Sequence, residues 1–293
     1  MTLFITTASV DCYSHVRAWV SAFGPVDHIT FDPGGLKNDW MYIQAAQELK
    51  PDLIFYIGAQ TGSGKPRRDS FKQLRDVAPL VNLCSDAQDH PWHRTLKAYR
   101  EYFDLQVSLD GARSAPVDLA VLTPVDPGPF QVEVPRDIRC GFSGSVGRWN
   151  SRSEIINALD WFGGITVRRR TEIPSSYTDH VNFMKSCRML LNISATGTGH
   201  ANHIKGRVLE AGWAGCALLE DAASPIGEWF PEDCYFSYRD IRHAAEIIAE
   251  ADDAEIECKA ARLSEEVRNR FTAKQIYEEI ISHVHRSVPV TPA

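Results

Sequence analysis

Two stretches of the sequence combine small residues with cations in the way an anion site requires. The first is Gly141-Phe-Ser-Gly-Ser-Val-Gly-Arg-Trp-Asn-Ser-Arg152. Its small residues, Ser143, Gly144 and Ser145 among them, let backbone N–H groups and a helix start come close to an anion. Arg148 and Arg152, four apart, can share one face at the helix entrance and clamp a diphosphate through charge-assisted hydrogen bonds. The plainer alternative is an ordinary strand-to-helix turn with solvated arginines. The second stretch is Ala195-Thr-Gly-Thr-Gly-His-Ala-Asn-His-Ile-Lys-Gly-Arg-Val-Leu-Glu210. It reads as a flexible glycine-containing loop running into a helix. Glu210 on that helix can accept hydrogen bonds from both hydroxyls of a ribose, as an acidic residue does in dinucleotide folds. Lys205 and Arg207 can meet phosphate charge. Here the alternative is that Arg207 and Glu210, three apart, simply pair on a solvated helix face.

Both stretches need a strand before them and a helix after them, and the periodicity supplies these. Leu3–Thr6, Val26–Phe31, Leu53–Ile57, Leu80–Leu83 and Leu105–Leu109 read as strands. The run Leu-Ile-Phe-Tyr-Ile at 53–57 is apolar throughout, as expected of a strand covered on both faces. Helices are expected at His15–Phe23, Trp40–Leu49 and Trp92–Tyr102, the second stopped by Lys50-Pro51. The alternation predicts a parallel, doubly wound sheet. Thr123-Pro-Val-Asp-Pro-Gly-Pro-Phe, with three prolines, cannot continue a helix or a central strand and reads as an interdomain linker.

The series then restarts. Strands are expected at Arg139–Ser143, Ile165–Val167, Met189–Ile193, Cys216–Leu219 and Tyr235–Ser237. Helices are expected at Ser153–Phe162, Tyr177–Cys187 and Ile204–Trp213, with three more near 239–250, 254–270 and 273–286. Ser151 with Glu154, and Thr272 with Gln275, have capping-box spacing. The fold class is therefore α/β: two Rossmann-like domains, parallel sheets with helices on both faces, facing across a cleft. The expected division is 1–125 and 126–293, the last helix being able to pack back on the first domain. The ligand site is expected beyond the carboxyl ends of the strands.

Composition narrows the class. The 31 Lys and Arg against 38 Asp and Glu leave a net charge of −7, which argues against a protein whose main affinity comes from neutralising many phosphates. The start lacks the cationic and apolar regions of a signal peptide, and no apolar run approaches the roughly 20 residues that span a bilayer. A cytoplasmic protein is expected. The seven cysteines form no C-x-x-C pair and read as buried thiols in a reducing compartment. Thr61-Gly-Ser-Gly-Lys-Pro66 fails as a phosphate loop, since Ala59 and Pro66 stand where glycine and a hydroxyl residue are needed. Arg168–Arg170 reads as a solvated strand end. His90, His93, His200 and His203 make no convincing metal set, and no D-x-D occurs, so no metal is expected.

Lys205-Gly-Arg-Val-Leu-Glu-Ala-Gly-Trp-Ala-Gly-Cys-Ala-Leu-Leu-Glu-Asp221, then Phe230, Tyr235-Phe-Ser-Tyr-Arg-Asp240 and the final helices, resembles the C-terminal half of GT-B glycosyltransferases. The resemblance is closest to the spore-maturation-protein-like group of family-1-type transferases and covers about half of the chain, residues 138–286. It implies an enzyme that moves a sugar from a nucleotide-sugar, with a UDP-sugar the expected donor, to an acceptor hydroxyl. By that resemblance Lys205 and Arg207 contact the donor phosphates, Glu210 holds the ribose, and the turn from Gly144 to Arg152 faces the diphosphate. Asn202 and His203 stand where many retaining members carry a companion glutamate, which leaves the stereochemical outcome open and adds His203 to the donor-side residues. Such enzymes typically stabilise the leaving diphosphate with basic residues and helix dipoles, so no cofactor beyond the donor is expected.

An inverting reaction needs a base from the N-terminal domain. Asp86, in the loop after Leu80–Leu83, is the first candidate, followed by Asp11 and His15 after the first strand. Each also suits a turn or cap position. Lys65-Pro-Arg-Arg68, Lys72 and Arg75, with His90, His93, Arg94, Lys97 and Arg100, outline a basic rim. It suits an acidic acceptor, a modified DNA base being one choice among polysaccharide, lipid-linked sugar and protein; solvated helix faces are the plainer alternative. A nucleotide-sugar epimerase and a non-catalytic nucleotide-sugar binding module are the alternatives to transfer.

Overall fold

The computed structural model describes residues 1–7, 10–32, 39–58, 66–89, 92–144, 146, 151–162, 164–169 and 176–287. The chain divides into two compact units, Met1–Asp126 with Ala273–Ala293, and Pro127–Thr272.

The first unit is a parallel sheet of β1 (Thr2–Thr7), β2 (Asp27–Phe31), β3 (Leu53–Ile57), β4 (Leu80–Cys84), β5 (Leu105–Ser108) and the two-residue β6 (Leu119–Ala120). The spatial order is β2-β1-β3-β4-β5-β6, with every neighbouring pair parallel. Its helices are α1 (Val10–Phe23), α2 (Asp39–Leu49), α3 (Arg68–Val77) and α4 (Trp92–Tyr99). All five residues of β3 are buried, as its unbroken apolar run requires.

The second unit holds β7 (Ile138–Gly144), β8 (Thr166–Arg169), β9 (Cys187–Leu191), β10 (Ala217–Asp221) and β11 (Tyr235–Tyr238), all parallel, in the order β11-β10-β9-β7-β8. Its helices are α5 (Ser151–Trp161), α6 (Tyr177–Ser186), α7 (Arg207–Ala214), α8 (Ile241–Glu250) and α9 (Asp253–Arg270). Phe142, Met189, Leu191, Leu219 and Tyr238 from the strands pack with Ile156 and Leu159 of α5 and Ile248 of α8 in one core. A Cβ at Gly141, next to Phe142, would run into the Cys187 thiol and the Phe183 ring of α6, so only glycine fits there.

The last helix, α10 (Ala273–Ser287), belongs to the first unit rather than closing the second. Its Ile276, Tyr277, Ile280 and Val284 are buried. The Tyr277 ring lies 5.0 Å from Trp19 and 5.8 Å from Phe55, and its hydroxyl donates to the His15 carbonyl at 2.9 Å. That apolar stripe is what ties the C-terminal helix to the N-terminal sheet.

Several elements differ from the sequence expectation. Helix α1 begins at Val10, so Asp11 and His15 lie in its first two turns and not in a loop. Helix α3 was not foreseen, because only Ser70, Phe71 and Leu74 of its ten residues are buried and the rest are mostly charged. Helix α7 starts at Arg207 with Gly206 as its cap, three residues later than the apolar pattern suggests. Among the cysteines, Cys84, Cys140, Cys187, Cys216 and Cys234 are buried, but Cys258 is exposed on α9.

Candidate active site

In the second unit the strand order reverses between β7 and β9, because the chain leaves β7 for β8 on one side and returns to β9 on the other. Open α/β sheets bind ligands outside the carboxyl ends of the strands at such a switch point. The residues that cluster there are Ser143 and Gly144 at the end of β7, Asn192 just past β9, the first turn of α6 and the first turn of α7.

Arg207 begins α7 and reaches back to the sheet. Its Nη1 donates to Asn192 Oδ1 at 3.1 Å and its Nη2 to the Ser143 carbonyl, while the guanidinium lies 4.8 Å above the Phe142 ring. Burial pushes its pKa down to about 10; Glu210 and Glu220 pull the other way. It remains a cation at neutral pH. Its buried Nε–H has no hydrogen-bond partner among the described residues. An orphaned buried donor costs about 1–3 kcal/mol.

Glu210 lies one turn further along α7. Its Oε1 accepts from the Tyr177 hydroxyl at 3.3 Å, and its Oε2 is 3.6 Å from His180 Nε2. His180 Nδ1 in turn is 2.8 Å from Ser143 Oγ. Burial alone would push the Glu210 carboxyl up, but His180, Arg207 and Tyr177 together hold it below the usual carboxylate range. The Glu210 side chain is 18% exposed, so this is an anion enclosed by protein yet open to a ligand hydroxyl. The solvated Arg207–Glu210 pair that the spacing allowed does not form: each residue turns to different partners and both are half-buried.

Tyr177 and His180 were not foreseen as site residues. They stand in the first turn of α6, which a capping box fixes: Ser176 Oγ accepts from the Asp179 N–H and the Asp179 carboxylate accepts from the Ser176 N–H. The Ser-x-x-Asp spacing at 176–179 is the sequence signal that marks this helix start.

The remaining donor-side candidates group around these. Arg152, in the first turn of α5, donates through Nη2 to the Ala195 carbonyl at 2.9 Å. Lys205 Nζ contacts His203 Nε2, and His203 is buried. Ser145 and Arg148 lie outside the described residues, as does the Ser151 side chain of the expected capping box. The glycine-containing segment 195–202 is a small hairpin and not a loose loop. Ala195 bridges Asn202, Thr196 N–H donates to the Ala201 carbonyl, and the Ser194 hydroxyl sits 2.9 Å from Asn202 Oδ1 and 3.2 Å from Asp221 Oδ2.

Gly144 is where the backbone conformation matters. Its φ of +152° is one that side chains rarely adopt, and a Cβ there would lie 2.5 Å from Arg207 Nη2. Gly144→Ala is therefore expected to displace the Arg207 guanidinium and weaken donor binding about tenfold or more, equivalent to about 1.4 kcal/mol. Calorimetry beside a melting curve separates that loss from a general loss of stability.

In the first unit, Asp86 occupies the turn after β4, as its position implied. Its carbonyl accepts from the Asp89 N–H, and the Ala87 N–H of the same turn donates to the buried Asp110 carboxylate at 3.0 Å. Asp110 also accepts from Ser108 Oγ, so the turn is fixed to the end of β5. Of Asp11 only the backbone lies within the described structure. His15 is buried beneath α10. The basic rim is largely engaged locally: Arg75 pairs with Asp104 at 2.7 Å and Arg100 with Asp118, while Arg68 and Lys72 lie over the Tyr99 and Tyr102 rings. Lys65 and His90 lie outside the described residues.

Among the described residues no cluster of three or more His, Cys, Asp or Glu could hold a metal ion, and no helix is long and apolar enough to cross a membrane. No curated protein sequence matches the chain significantly. Solved structures do match over nearly its whole length. HepE from Anabaena in complex with UDP-glucose superposes with a TM-score of 0.68 at 12% identity, over 98% of this chain and 100% of that one. A glycosyltransferase from Rickettsia africae gives 0.61 at 10% identity, over 99% of both chains. Sucrose-phosphate synthase from Thermosynechococcus elongatus gives 0.58 at 11% identity, over 98% of both. The shared fold is that of two Rossmann-like domains, the GT-B fold. Residues 131–282, more than half of the chain, match the model of the glycosyl transferase-like family, and this chain belongs to that family of glycosyltransferases.

Proposed function

We propose that the protein transfers a sugar from a UDP-sugar to an acceptor hydroxyl, and that the nucleoside diphosphate binds at the switch point of the second unit. The observation that carries this reading is the Glu210–Arg207 arrangement. A carboxylate held ionised by Tyr177 and His180 is suited to accept both hydroxyls of a ribose. A half-buried guanidinium one helical turn away brings a cation to the same place, suited to meet phosphate oxygens. That HepE, of the same fold, was solved with UDP-glucose supports the choice of donor.

In this reading Arg207 neutralises charge as the bond to the sugar breaks and the diphosphate leaves, with Lys205, Arg152 and Arg148 as further cations. This reading assigns that step to side-chain cations and to no metal. Asp86, fixed in its turn by Asp110, is the candidate base for the acceptor hydroxyl.

The test is calorimetry with UDP, UDP-glucose and a panel of other nucleotide-sugars on the wild type and on Arg152→Ala, each with and without EDTA. Binding of a uridine diphospho-sugar, weakened in the variant and indifferent to EDTA, is the expected result. An absence of binding across the panel would sink the donor-site assignment, and loss of binding in EDTA would sink the metal-free reading.

A further inference from the structure

One buried ionisable group of the second unit has no part in the donor contacts described above. Glu220, on β10, is fully buried. Its Oε2 accepts from Asn192 Nδ2 at 2.7 Å, and its Oε1 has no hydrogen-bond partner among the described residues. Asn192 is fully buried as well, and its Oδ1 accepts from Arg207 Nη1 at 3.1 Å. One amide thus joins a buried carboxylate to the cation of the candidate donor site.

An amide can face two ways, and what it can do for Arg207 depends on which. With Glu220 accepting from Nδ2, the oxygen is left for the guanidinium, which can only donate. If Glu220 instead donates, the amide is free to turn over, and its NH2 would then oppose the N–H groups of Arg207. We propose that Glu220 is a positioning residue for donor binding, which through the Asn192 amide fixes the Arg207 guanidinium at the end of β7. The proposal rests on the donor-site reading above.

The electrostatics of the pocket agree. Burial pushes the Glu220 carboxyl up to about 7, with Asn192, the Ser224 hydroxyl and Arg207 offsetting part of the effect and Asp221 adding to it. The titratable and charged groups that face it are Asp221 on its own strand, Arg207 from α7, and Tyr235 and Tyr238 from β11, with the polar Ser224 just beyond β10. Both tyrosines are themselves pushed upward, chiefly by burial, so neither changes charge near neutrality. The charge state of Glu220 therefore switches close to pH 7, and the carboxylate form is the one that holds Arg207.

UDP binding measured by calorimetry at pH 8 and pH 6 tests this with Glu220→Gln, Glu220→Met and, as comparator, Arg207→Ala. Glutamine keeps an acceptor for Asn192 and cannot ionise; methionine keeps the volume without a comparable acceptor. The wild type is expected to lose up to about tenfold more affinity between pH 8 and pH 6 than Glu220→Gln does, since one pH unit below its pKa leaves about a tenth of a carboxyl ionised. Titration of UDP itself is common to both proteins and cancels. Glu220→Met is expected to bind about tenfold more weakly than Glu220→Gln at both pH values, with melting curves confirming that each variant is folded.

Equal pH slopes in wild type and Glu220→Gln would overturn the proposal. So would a slope of the opposite sign, which would mean that Glu220 acts by repelling phosphate. Should Glu220→Met fold poorly, the comparison of slopes decides alone. Failure of wild type to bind UDP overturns the donor-site reading and this proposal with it. UDP binding that Arg207→Ala abolishes but that Glu220 does not modulate overturns this proposal only.

Discussion

Glu210→Ala is expected to weaken binding of the UDP-sugar by about a hundredfold or more. Two ribose hydroxyls donating to one carboxylate make charge-assisted hydrogen bonds, each worth about 1.5–3 kcal/mol, and a hundredfold is about 2.7 kcal/mol. The truncation also leaves the Tyr177 hydroxyl and His180 Nε2 without their acceptor. Because the His180 side chain is 24% exposed, water can take up part of that loss, and the fold is expected to survive. Glu210→Gln, which keeps the shape and gives up the charge, is expected to fall between wild type and Glu210→Ala.

The pH dependence gives a second handle on the same residue. The Glu210 carboxyl is held below its ordinary range in the folded state, so its contribution to stability is in place above the unfolded value of about 4.3 and is lost as pH falls through the lower folded value. The melting temperature of Glu210→Gln should therefore approach that of wild type only in acid. A Glu210→Ala protein that binds the donor normally would show that the ribose lies elsewhere.

The order of strands and helices in both units follows from apolar runs and breakers that a reader of the sequence can count. The 53–57 run is a buried strand, and Lys50-Pro51 ends α2 one residue earlier at Leu49. What the sequence did not announce are contacts whose partners are far apart along the chain. Glu210 and Arg207 could be picked out, but nothing local says that Glu210 meets Tyr177, thirty-three residues earlier, or that Arg207 reaches Ser143. Neither Asn192 nor Glu220 stands out by itself: Asn192 is one polar residue within the apolar run Met189–Ile193, and Glu220 with Asp221 forms the polar end of β10, where turn residues are the ordinary expectation. Helix α3 was missed because its buried stripe is three residues wide and the charges around it mask the period. The α10 pattern was clear as a helix, yet its host is decided by whichever apolar surface Tyr277 fits, which is the Phe4–Trp19–Phe55 cluster of the first unit.

The second large effect concerns the helix that carries the site. Gly212→Ala is expected to destabilise the second unit by about 1–2 kcal/mol, although helix propensity alone would favour alanine there by up to about 1 kcal/mol. A Cβ at Gly212 would lie 2.5 Å from Val267 Cγ2, 2.9 Å from Val267 Cβ and 3.2 Å from the Leu263 carbonyl oxygen, all on α9. Leu263 and Val267 are fully buried, and valine, branched at Cβ, has no alternative rotamer to retreat into. Overpacking of this kind costs about 1–3 kcal/mol, so it outweighs the propensity gain. The structure can relieve the clash only by moving α7 away from α9, and α7 carries Arg207 and Glu210. A shift of about 1 Å in positioning groups can cost about a hundredfold in rate, so turnover should fall by more than stability accounts for. Val267→Ala removes the opposing methyl groups at the cost of a small cavity of its own. Combined with Gly212→Ala it should recover part of both melting temperature and turnover, because the closest contact, at 2.5 Å, is gone while those to the residue-267 Cβ and the Leu263 carbonyl remain, with a favourable coupling energy of about 1 kcal/mol in the double-mutant cycle. If the two substitutions simply add, the close approach of α7 to α9 is not what holds the donor residues in place, and their support must come from β7 and α6.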